Sequence, residues 1–497
     1  MNRAASPPPC FFWHDYETFG RSPRWDRPAQ FAGVRTDWDL NEVGDPVMLY
    51  CQPADDVLPD PESCLITGIL PQQCQALGVP EPEFAARIER ELAWPGTVGC
   101  GYNTLRFDDE FTRHLLWRNL RDPYAREWQN GCGRWDLLDV VRATYALRPE
   151  GIEWPTAEDG RTSFKLENLS RANGLAHEAA HDALSDVRAT IALARLIKAR
   201  QPRLFDFALR LRKKEAVWAE VGEVPRPLLH VSGMYGVERG CIALVWPLAM
   251  HPRNKNELIV WDLAADPREL LELKADEIRA RLFVRQSELP EGVVRLPIKT
   301  LHANKSPFVV SSLQTLRPEL AERWGLDLRQ QLLHAAWLRD HGSALAGVWE
   351  DVYPVVAPGE CDPEANLYGG FVGDGDRRLL RDVLGLAPQA LAERIHEGRL
   401  NFSDARLEEL VWRFRARHQP STLTPLEQER WRGQRARRLH RGEAGGGGLA
   451  DYLQRLDALQ DQAHEREDER ALHVLESLVD WVEAVVPPFE DCALGTN

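Results

Sequence analysis

The sequence predicts a three-domain protein with an α/β first domain, a β-rich second domain and an all-α third domain. The first 200 residues alternate short β-rich runs with helical patterns, which is typical of an α/β layer architecture. Strand-like runs then dominate, and the last third is helical. At roughly 150 residues per domain, a chain of 497 residues is long enough for about three domains.

Apolar and β-branched runs predict the strands of the first domain, and apolar spacing of three and four residues predicts its helices. The strands are expected at 10–15, 32–36, 47–52 and 97–102, and the helices at 84–92, 108–119, 136–146, 166–172 and 183–199. The tripeptide Gln201-Pro202-Arg203 ends the last helix, so we place the first domain at residues 1–201.

The second domain is expected at residues 202–353. It shows strand patterns at 228–233, 241–248, 257–263 and 293–301, and helical patterns near 267–283 and 318–341. A stretch with proline and glycine, 354–363, predicts the start of the third domain, residues 354–497. Apolar residues there recur at helical spacing, as in Leu472, Leu475, Val479 and Val482.

Composition excludes several classes of protein. With 43% hydrophobic and 28% charged residues, the chain is typical of soluble globular proteins. It shows neither a membrane-spanning apolar run nor a secretory signal at the N-terminus. Its nine cysteines include no C-x-x-C pair, so neither a zinc site nor a disulfide framework is indicated. We expect reduced thiols and a cytoplasmic location.

The charge distribution is uneven. A net charge of −15 argues against nonspecific coating of nucleic acid. Between Trp412 and Arg441, however, nine arginines stand against two glutamates, a local balance of +7. Two interpretations stay open: this arginine run binds a phosphate backbone, or it is a solvated helix face.

Two acids end the first predicted strand. Because side chains alternate along a strand, Asp15 and Glu17 emerge on the same face and can reach one cation. An acid-x-acid triplet is common in a chain with 76 acids. An aromatic strand, however, rarely carries two carboxylates on one face without a compensating charge, and a metal ion is the simplest one.

Two further segments add candidate site residues. Asp108 opens a predicted helix and is either a first-turn acid favoured by the helix dipole or part of a site. His181 and Asp186 lie about one and a half turns apart at the start of another helix. Alone, a histidine in this position is more often a surface or capping residue than a site residue. Together, the three segments favour one shared site.

These segments resemble the motifs of the DEDDh branch of 3′ to 5′ exonucleases. D-x-E corresponds to Asp15 and Glu17, N-x-x-x-F-D to Asn103, Phe107 and Asp108, and H-x4-D to His181 and Asp186. Further likeness, to the bacterial exonuclease I family in particular, runs through 14–20, 27–31, 65–69, 134–140, 146–152, 230–234, 302–305 and 315–318. The resemblance implies a ribonuclease-H-like first domain, an SH3-like second domain and a helical third domain around a DNA groove.

The resemblance also implies an activity: metal-dependent 3′ to 5′ degradation of single-stranded DNA to 5′-mononucleotides, in DNA repair and recombination. Two metal ions per site would be held by Asp15, Glu17 and Asp186 directly, and by Asp108 directly or through water. His181 is suited to accept a proton from the attacking water. Oxygen ligands favour Mg²⁺, with Mn²⁺ as a substitute, over zinc.

Contacts to DNA and to a partner follow from the same resemblance. Single-strand binding combines cations with stacking faces. The matching positions near the catalytic motifs are Glu17, Arg113, Tyr124, Trp128, Arg142 and Lys165. Further candidates are the polar residues of a β-loop in the second domain, Lys299, His302, Asn304 and Lys305, and Tyr368 at the start of the helical domain. Core packing is the alternative for Trp128. The implied partner is single-stranded DNA-binding protein, whose acidic C-terminal tail would meet Arg148, Arg226, Arg317 and Arg339; the chain itself is expected to be a monomer.

Two other interpretations compete with this one. A proofreading or oligoribonuclease-like exonuclease would use the same five catalytic residues, but its usual catalytic unit fills only the first 200 residues. A DNA-binding scaffold with an inactive nuclease core would not need Asp15, Glu17, Asp108, His181 and Asp186 intact. A comparison of the digestion of single-stranded DNA with that of RNA of the same sequence distinguishes the first alternative from an exonuclease I. Metal-dependent release of mononucleotides would exclude the second alternative.

Overall fold

A computed structural model of the chain describes residues 9–175, 182–355, 361–443, 445 and 447–494. The three-part architecture that the sequence predicts is confirmed, with a sheet flanked by helices, a second sheet and a helical last third. Within the described ranges, no helix is long and apolar enough to cross a membrane. All nine cysteines are free.

A five-stranded mixed sheet forms the first domain, with strand order β3-β2-β1-β4-β5. Its strands are β1 Cys10–Thr18, β2 Pro28–Thr36, β3 Val47–Tyr50, β4 Thr97–Gly101 and β5 Gly133–Asp136. Strand β1 pairs antiparallel with β2 and parallel with β4. It lies in the middle of the sheet, so its apolar residues Phe11, Phe12 and Trp13 are fully buried.

The helices of the first domain include all five that the sequence predicts. They are α1 Pro61–Thr67, α2 Pro71–Leu77, α3 Glu81–Leu92, α4 Asp108–Arg118, α5 Leu137–Leu147, α6 Leu166–Ala172 and α7 Ala183–Arg200. The pattern does not reveal α1 and α2, because seven residues are too few to establish an apolar period. Strand β5 has four residues and leads directly into α5, so the hydrophobic pattern does not predict it either.

The second sheet has the order β10-β6-β7-β8-β9. Its strands are β6 Leu228–Val231, β7 Ile242–Met250, β8 Glu257–Asp262, β9 Ile298–His302 and β10 Phe308–Val310. The helices around it are α8 Pro202–Arg210, α9 Lys214–Val221, α10 Ala275–Leu282, α11 Pro318–Arg323, α12 Leu328–His341 and α13 Val348–Val352. The single helix expected at 318–341 is wrong. It is interrupted at Gly325, whose φ of +65° suits a helix end rather than a helix interior.

The last third consists of α14 Asp374–Gly385, α15 Pro388–His396, α16 Ala405–His418, α17 Pro425–Arg441, α18 Leu449–Glu465 and α19 Glu469–Val485. Helices α18 and α19 pack against the first domain, where Leu475 and Leu478 share a buried cluster with Cys64 and Cys74 of α1 and α2. The two ends of the chain therefore form one apolar core.

Part of the arginine run is buried between the first and last thirds of the chain. The interdomain charge cluster consists of Arg27, Asp56, Glu364, Arg413, Arg417 and Arg438. Asp56 contacts Arg417 at 2.7 Å and Arg438 at 3.2 Å. Arg415, also buried, pairs with Glu427 at 2.9 Å.

Both interpretations of these buried arginines are therefore wrong. Arg413, Arg415 and Arg438 are each 5% exposed or less, and the side chain of Arg417 is 4% exposed, so they meet neither a phosphate backbone nor bulk solvent. Helical periodicity shows that the arginines share a face, but it does not show that Asp56, more than 300 residues away, lies opposite that face.

Candidate metal-dependent active site

The end of β1 places two carboxylates side by side. The register of β1 with β2 sets Asp15 opposite Ala32 and Glu17 opposite Gln30. The residue between them, Tyr16, is buried on the opposite side of the strand, where its ring packs against other aromatic side chains. The alternation of side chains that the sequence predicts for this strand therefore places both carboxylates on the same face of β1.

Helix α7 brings the third carboxylate. Asp182 caps this helix by accepting a hydrogen bond from the Ser185 amide at 3.1 Å, and Asp186 follows within the first turn. Candidate ligand atoms of Asp15, Glu17 and Asp186 all lie within 4.8 Å of one another. Among the residues that the structure describes, no other group of three or more acidic, histidine or cysteine side chains has this spacing.

Asp108 lies next to these three acids. It is the first residue of α4, and its Oδ1 accepts a hydrogen bond from the Tyr16 amide of β1 at 3.0 Å. This contact fixes the carboxyl group against the backbone between Asp15 and Glu17. Asp108 does not belong to the group of three whose oxygens meet within 4.8 Å, so its part in metal binding stays a prediction.

Asp136 positions the turn that leads to Asp108, a role that no sequence pattern predicts. Its carboxylate accepts hydrogen bonds from the amides of Asn103 at 2.9 Å and Leu105 at 3.1 Å, and it also caps α5. Asn103 has a φ of +66°, a conformation that these bonds help to hold. The sequence shows only that Asp136 stands where it can cap the following helix. This position does not indicate which distant turn its carboxylate holds.

The acids destabilise one another when they are charged. Burial, reinforced by the charges of Asp15 and Asp186, raises the pKa of Glu17 from 4.5 to about 9. Burial and the Asp186 charge raise the pKa of Asp15, and burial and the Asp15 charge raise that of Asp108. Without a cation, the cluster therefore holds protons at neutral pH.

A divalent cation fits this donor set. Every candidate ligand atom in the cluster is a carboxylate oxygen, which hard cations such as Mg²⁺ and Mn²⁺ prefer. A bound cation would also supply the positive charge that the raised pKa values show to be missing. His181, the predicted proton acceptor, lies outside the described residues, and Asp186 is the member of its motif that the structure places in the cluster.

Three of the predicted DNA-contacting residues meet around helix α4. The Arg113 guanidinium donates to the Tyr368 hydroxyl at 3.0 Å and lies 5.3 Å from the centre of the Tyr124 ring. The same guanidinium forms an ion pair with Glu127 at 2.7 Å, and the Tyr368 hydroxyl donates to Glu110. Arg113 is therefore buried, and its contacts connect the first and last thirds of the chain.

The other predicted contacts in the first domain differ in exposure. Trp128 is 67% exposed, so core packing is not its role. Lys165 is exposed and immediately precedes α6. Arg142 is half-buried and pairs with Asp139 at 2.7 Å. These side chains stay predicted DNA contacts.

The second domain presents its predicted contacts along and after β9. Lys299 donates to the Ser232 hydroxyl and lies 4.7 Å from the centre of the Tyr235 ring; burial lowers its pKa to about 8. His302 pairs with Glu257 at 3.2 Å. The backbone carbonyl of Asn304 accepts from Arg134 of the first domain at 3.3 Å, and burial lowers the pKa of the neighbouring Lys305.

One of the four arginines predicted to hold a partner tail lines a cavity. Arg148 donates to the Thr315 carbonyl at 2.9 Å and lines a cavity of about 400 Å³. Arg317, two residues further along from Thr315, pairs with Glu150. Arg226 and Arg339 are exposed and are not among the residues that line this cavity.

Family models match almost the whole chain. An exonuclease model matches residues 12–194, so the sheet and the carboxylate cluster define the class of protein as an exonuclease. The model of the exonuclease I SH3-like domain matches residues 212–355, and that of the exonuclease I C-terminal domain matches residues 361–485. The chain therefore belongs to the exonuclease I family.

Individual relatives agree over the same length. Exodeoxyribonuclease I of Escherichia coli (strain K12) is 45% identical over 481 residues, which cover 96% of this chain and 98% of that protein. The solved exonuclease I of Methylocaldum szegediense, described as moderately thermophilic, superposes with a TM-score of 0.91 at 46% identity, covering 96% of this chain and 100% of that one. E. coli exonuclease I solved with a dA16 oligonucleotide has a TM-score of 0.90 at 43% identity and the same coverage.

Two further E. coli structures carry information on ligands. One is a zinc-bound complex of exonuclease I with single-stranded DNA, with a TM-score of 0.89 and 42% identity over 96% of this chain and 99% of that one. The other is SSB/exonuclease I with the inhibitor CFAM, with a TM-score of 0.87 and 42% identity over 96% of this chain and 100% of that one. Divalent metal ions are thus part of this family's chemistry.

Proposed function

We propose that this chain is a 3′ to 5′ exodeoxyribonuclease that degrades single-stranded DNA to 5′-mononucleotides, in DNA repair and recombination. The observation that carries the proposal is the meeting of Asp15, Glu17 and Asp186 within 4.8 Å in a chain of the exonuclease I family. Matches to the SH3-like and C-terminal models also account for the residues that a single-domain proofreading exonuclease would leave unexplained. Nine free cysteines suit a reducing cytoplasm.

The mechanism assigns a task to each acidic residue. Asp15, Glu17 and Asp186 would hold Mg²⁺, or Mn²⁺ in its place, and Asp108 would bind a second ion directly or through water. When bound, two such ions neutralise charge on the phosphate and activate a water molecule. The Tyr16 amide keeps Asp108 oriented toward the cluster, so the acids need little rearrangement.

Proton transfer and strand binding fall to other side chains. His181 accepts the proton of the attacking water. Arg113 and Tyr124 form a cationic and aromatic surface beside α4, and Lys299, His302 and Lys305 extend the contacts into the second domain. The family relative solved with a dA16 oligonucleotide supports single-stranded DNA as the substrate. We propose that the chain works as a monomer with domains at 1–201, 202–353 and 354–497.

Strands labelled at one end test the reaction. With Mg²⁺, a 3′-labelled single strand should lose its label as mononucleotides at once, whereas a 5′-labelled strand should shorten progressively. A chelator should stop both, since the acids cannot act without cations. Equal activity on RNA of the same sequence would favour the oligoribonuclease-like alternative, and no metal-dependent release at all would leave only a DNA-binding scaffold.

Single-stranded DNA-binding protein is the proposed partner. The cavity beside Arg148 is largely apolar, with Leu147, Phe207, Phe308 and Val310 in its lining, and so it suits an acidic tail with an apolar tip. The relative solved as SSB/exonuclease I supports the same partner. Arg317, Arg226 and Arg339 would steer the tail from outside the cavity.

A peptide copy of that tail should bind at low salt and weaken as salt rises, because surface ion pairs are screened. The double variant R148A/R317A should bind it at least about tenfold more weakly, the equivalent of 1.4 kcal/mol, in a fluorescence anisotropy titration. The variant R432A, which changes an exposed arginine of α17, is the control and should bind normally. Wild-type affinity in the double variant would contradict the assignment.

A further inference from the structure

Helix α7 must lie at one place on the sheet for Asp186 to reach Asp15 and Glu17, because candidate ligand atoms of the three acids lie within 4.8 Å of one another. Further along the helix, Val187 and Ile191 belong to the buried apolar cluster that also includes side chains of β1 and β2. Apolar contacts are not directional. They therefore hold the helix on the sheet, but they do not by themselves fix the position of its first turn.

Gln30 of β2 gives the start of α7 a directional contact. Its side-chain oxygen Oε1 accepts a hydrogen bond from the backbone amide of Ala183, the first residue of α7, at 3.4 Å. The first amides of a helix have no acceptor within the helix itself. Gln30 is 2% exposed and Ala183 is fully buried, so breaking this bond would leave buried polar groups without it. The bond therefore ties the start of α7 to one point of the sheet.

The same glutamine lies beside one of the acids. In the sheet, Gln30 is directly opposite Glu17 of β1 and opposite Tyr50 of β3. Residues that lie opposite each other in antiparallel strands project from the same face. Burial raises the pKa of the Tyr50 hydroxyl, and a hydrogen bond with the Gln30 side chain opposes this rise. Gln30 is therefore bonded to the neighbouring strand on one side and to α7 on the other.

We propose that Gln30 is a positioning residue of the metal site: it sets the first turn of α7 so that Asp186 meets the two acids of β1. The inference rests on the proposed function, since it concerns the same metal site. Asp186 follows Ala183 by three residues, less than one helical turn, so a shift of the helix start moves the carboxylate with it. Because the glutamine side chain is neutral, it fixes this geometry without adding a charge to the cluster.

Substitution of Gln30 in the full chain tests the proposal. Q30M removes the acceptor and keeps the length of the side chain, and calorimetric titration with Mn²⁺ should show about ten- to a hundredfold weaker binding, as is typical when a group that orients a metal ligand is lost. At limiting Mg²⁺, kcat on a 3′-labelled strand should fall by a similar factor, whereas KM for the strand should keep its wild-type value. Q30N keeps an amide that is one methylene group too short for the bond, so it should lose Mn²⁺ affinity in the same way, and it replaces Q30M if that variant does not fold.

Q73M is the matched control, because Gln73 of α2 donates to the same Tyr50 hydroxyl at 3.4 Å. It should keep wild-type Mn²⁺ affinity. Wild-type affinity in a folded Gln30 variant would overturn the positioning role, and so would a lower urea unfolding midpoint with unchanged affinity, the result of a purely structural role. The titration of the wild type reports separately on the proposed function, which fails together with this inference if the wild type binds no Mn²⁺.

Discussion

Replacement of any one of Asp15, Glu17 or Asp186 by its amide should reduce hydrolysis of single-stranded DNA by about a thousandfold or more. Each change removes one negative charge from a three-carboxylate cluster, and a lost metal ion costs several kcal/mol of transition-state stabilisation. Initial rates on a 3′-labelled strand give the loss, and calorimetric titration with Mg²⁺ shows whether metal binding is lost with it. D457N, an exposed acid on α18, is the control and should keep full activity.

The same substitutions should stabilise the protein when metal is absent. Because the pKa of Glu17 rises from 4.5 to about 9 on folding, the folded protein binds a proton there between those pH values that the unfolded chain has released. The free energy of unfolding of the chelated wild type should therefore fall as pH rises through this window. E17Q should remove that contribution and melt higher than wild type at pH 8 with chelator. A lower melting temperature for E17Q at that pH would contradict the mutual repulsion of the acids.

Replacement of Glu364 by glutamine should destabilise the fold by about 3–5 kcal/mol, the typical cost of breaking a buried ion pair. Glu364 is 2% exposed and contacts Arg27, Arg413, Arg417 and Arg438, so its loss leaves buried cations short of a partner. Urea unfolding followed by circular dichroism measures the change. The control D340N breaks an exposed pair with Arg339, so its urea unfolding midpoint should stay close to that of wild type.

The effect of E364Q should also depend on pH. Burial alone would raise the pKa of Glu364, but Arg417, Arg438 and Arg27 hold it well below 4.5. The ionised carboxylate therefore contributes its full stability above pH 4.5, and this contribution is lost as pH falls toward the lowered pKa. The stability gap between wild type and E364Q should be constant from pH 5 to 8 and narrow in acid. A gap that widens in acid would show that the carboxylate is not held in its charged form.

The acidic site could be predicted because its signals are local. Alternation along β1 put Asp15 and Glu17 on one face, and the start of α7 placed Asp186 in a first turn. Both depend on spacing within a few residues. The meeting of β1 with α7, nearly 170 residues later, came from the family resemblance, since no spacing rule reports it.

Contacts between distant parts of the chain could not be predicted. The arginine run was visible, but its partners Asp56 and Glu364 lie in segments with no recognisable relation to it. Asp136 caps α5 and also holds the Asn103 turn, and its place in the sequence does not indicate the second contact. In each case the sequence shows a charged group and its local structure, while the fold determines which opposite charge it meets.

The interdomain charge cluster also bears on how the chain is made. Asp56 bonds to Arg417, 361 residues later, and Arg27 to Glu364, 337 residues later. During synthesis the first domain emerges long before these partners exist, so its own acid and arginine stay hydrated. The apolar surfaces of α1 and α2 likewise stay uncovered until α18 and α19 have been synthesised. The catalytic domain therefore reaches its final packing only when the last third leaves the ribosome, and until then it is the kind of intermediate that chaperones bind.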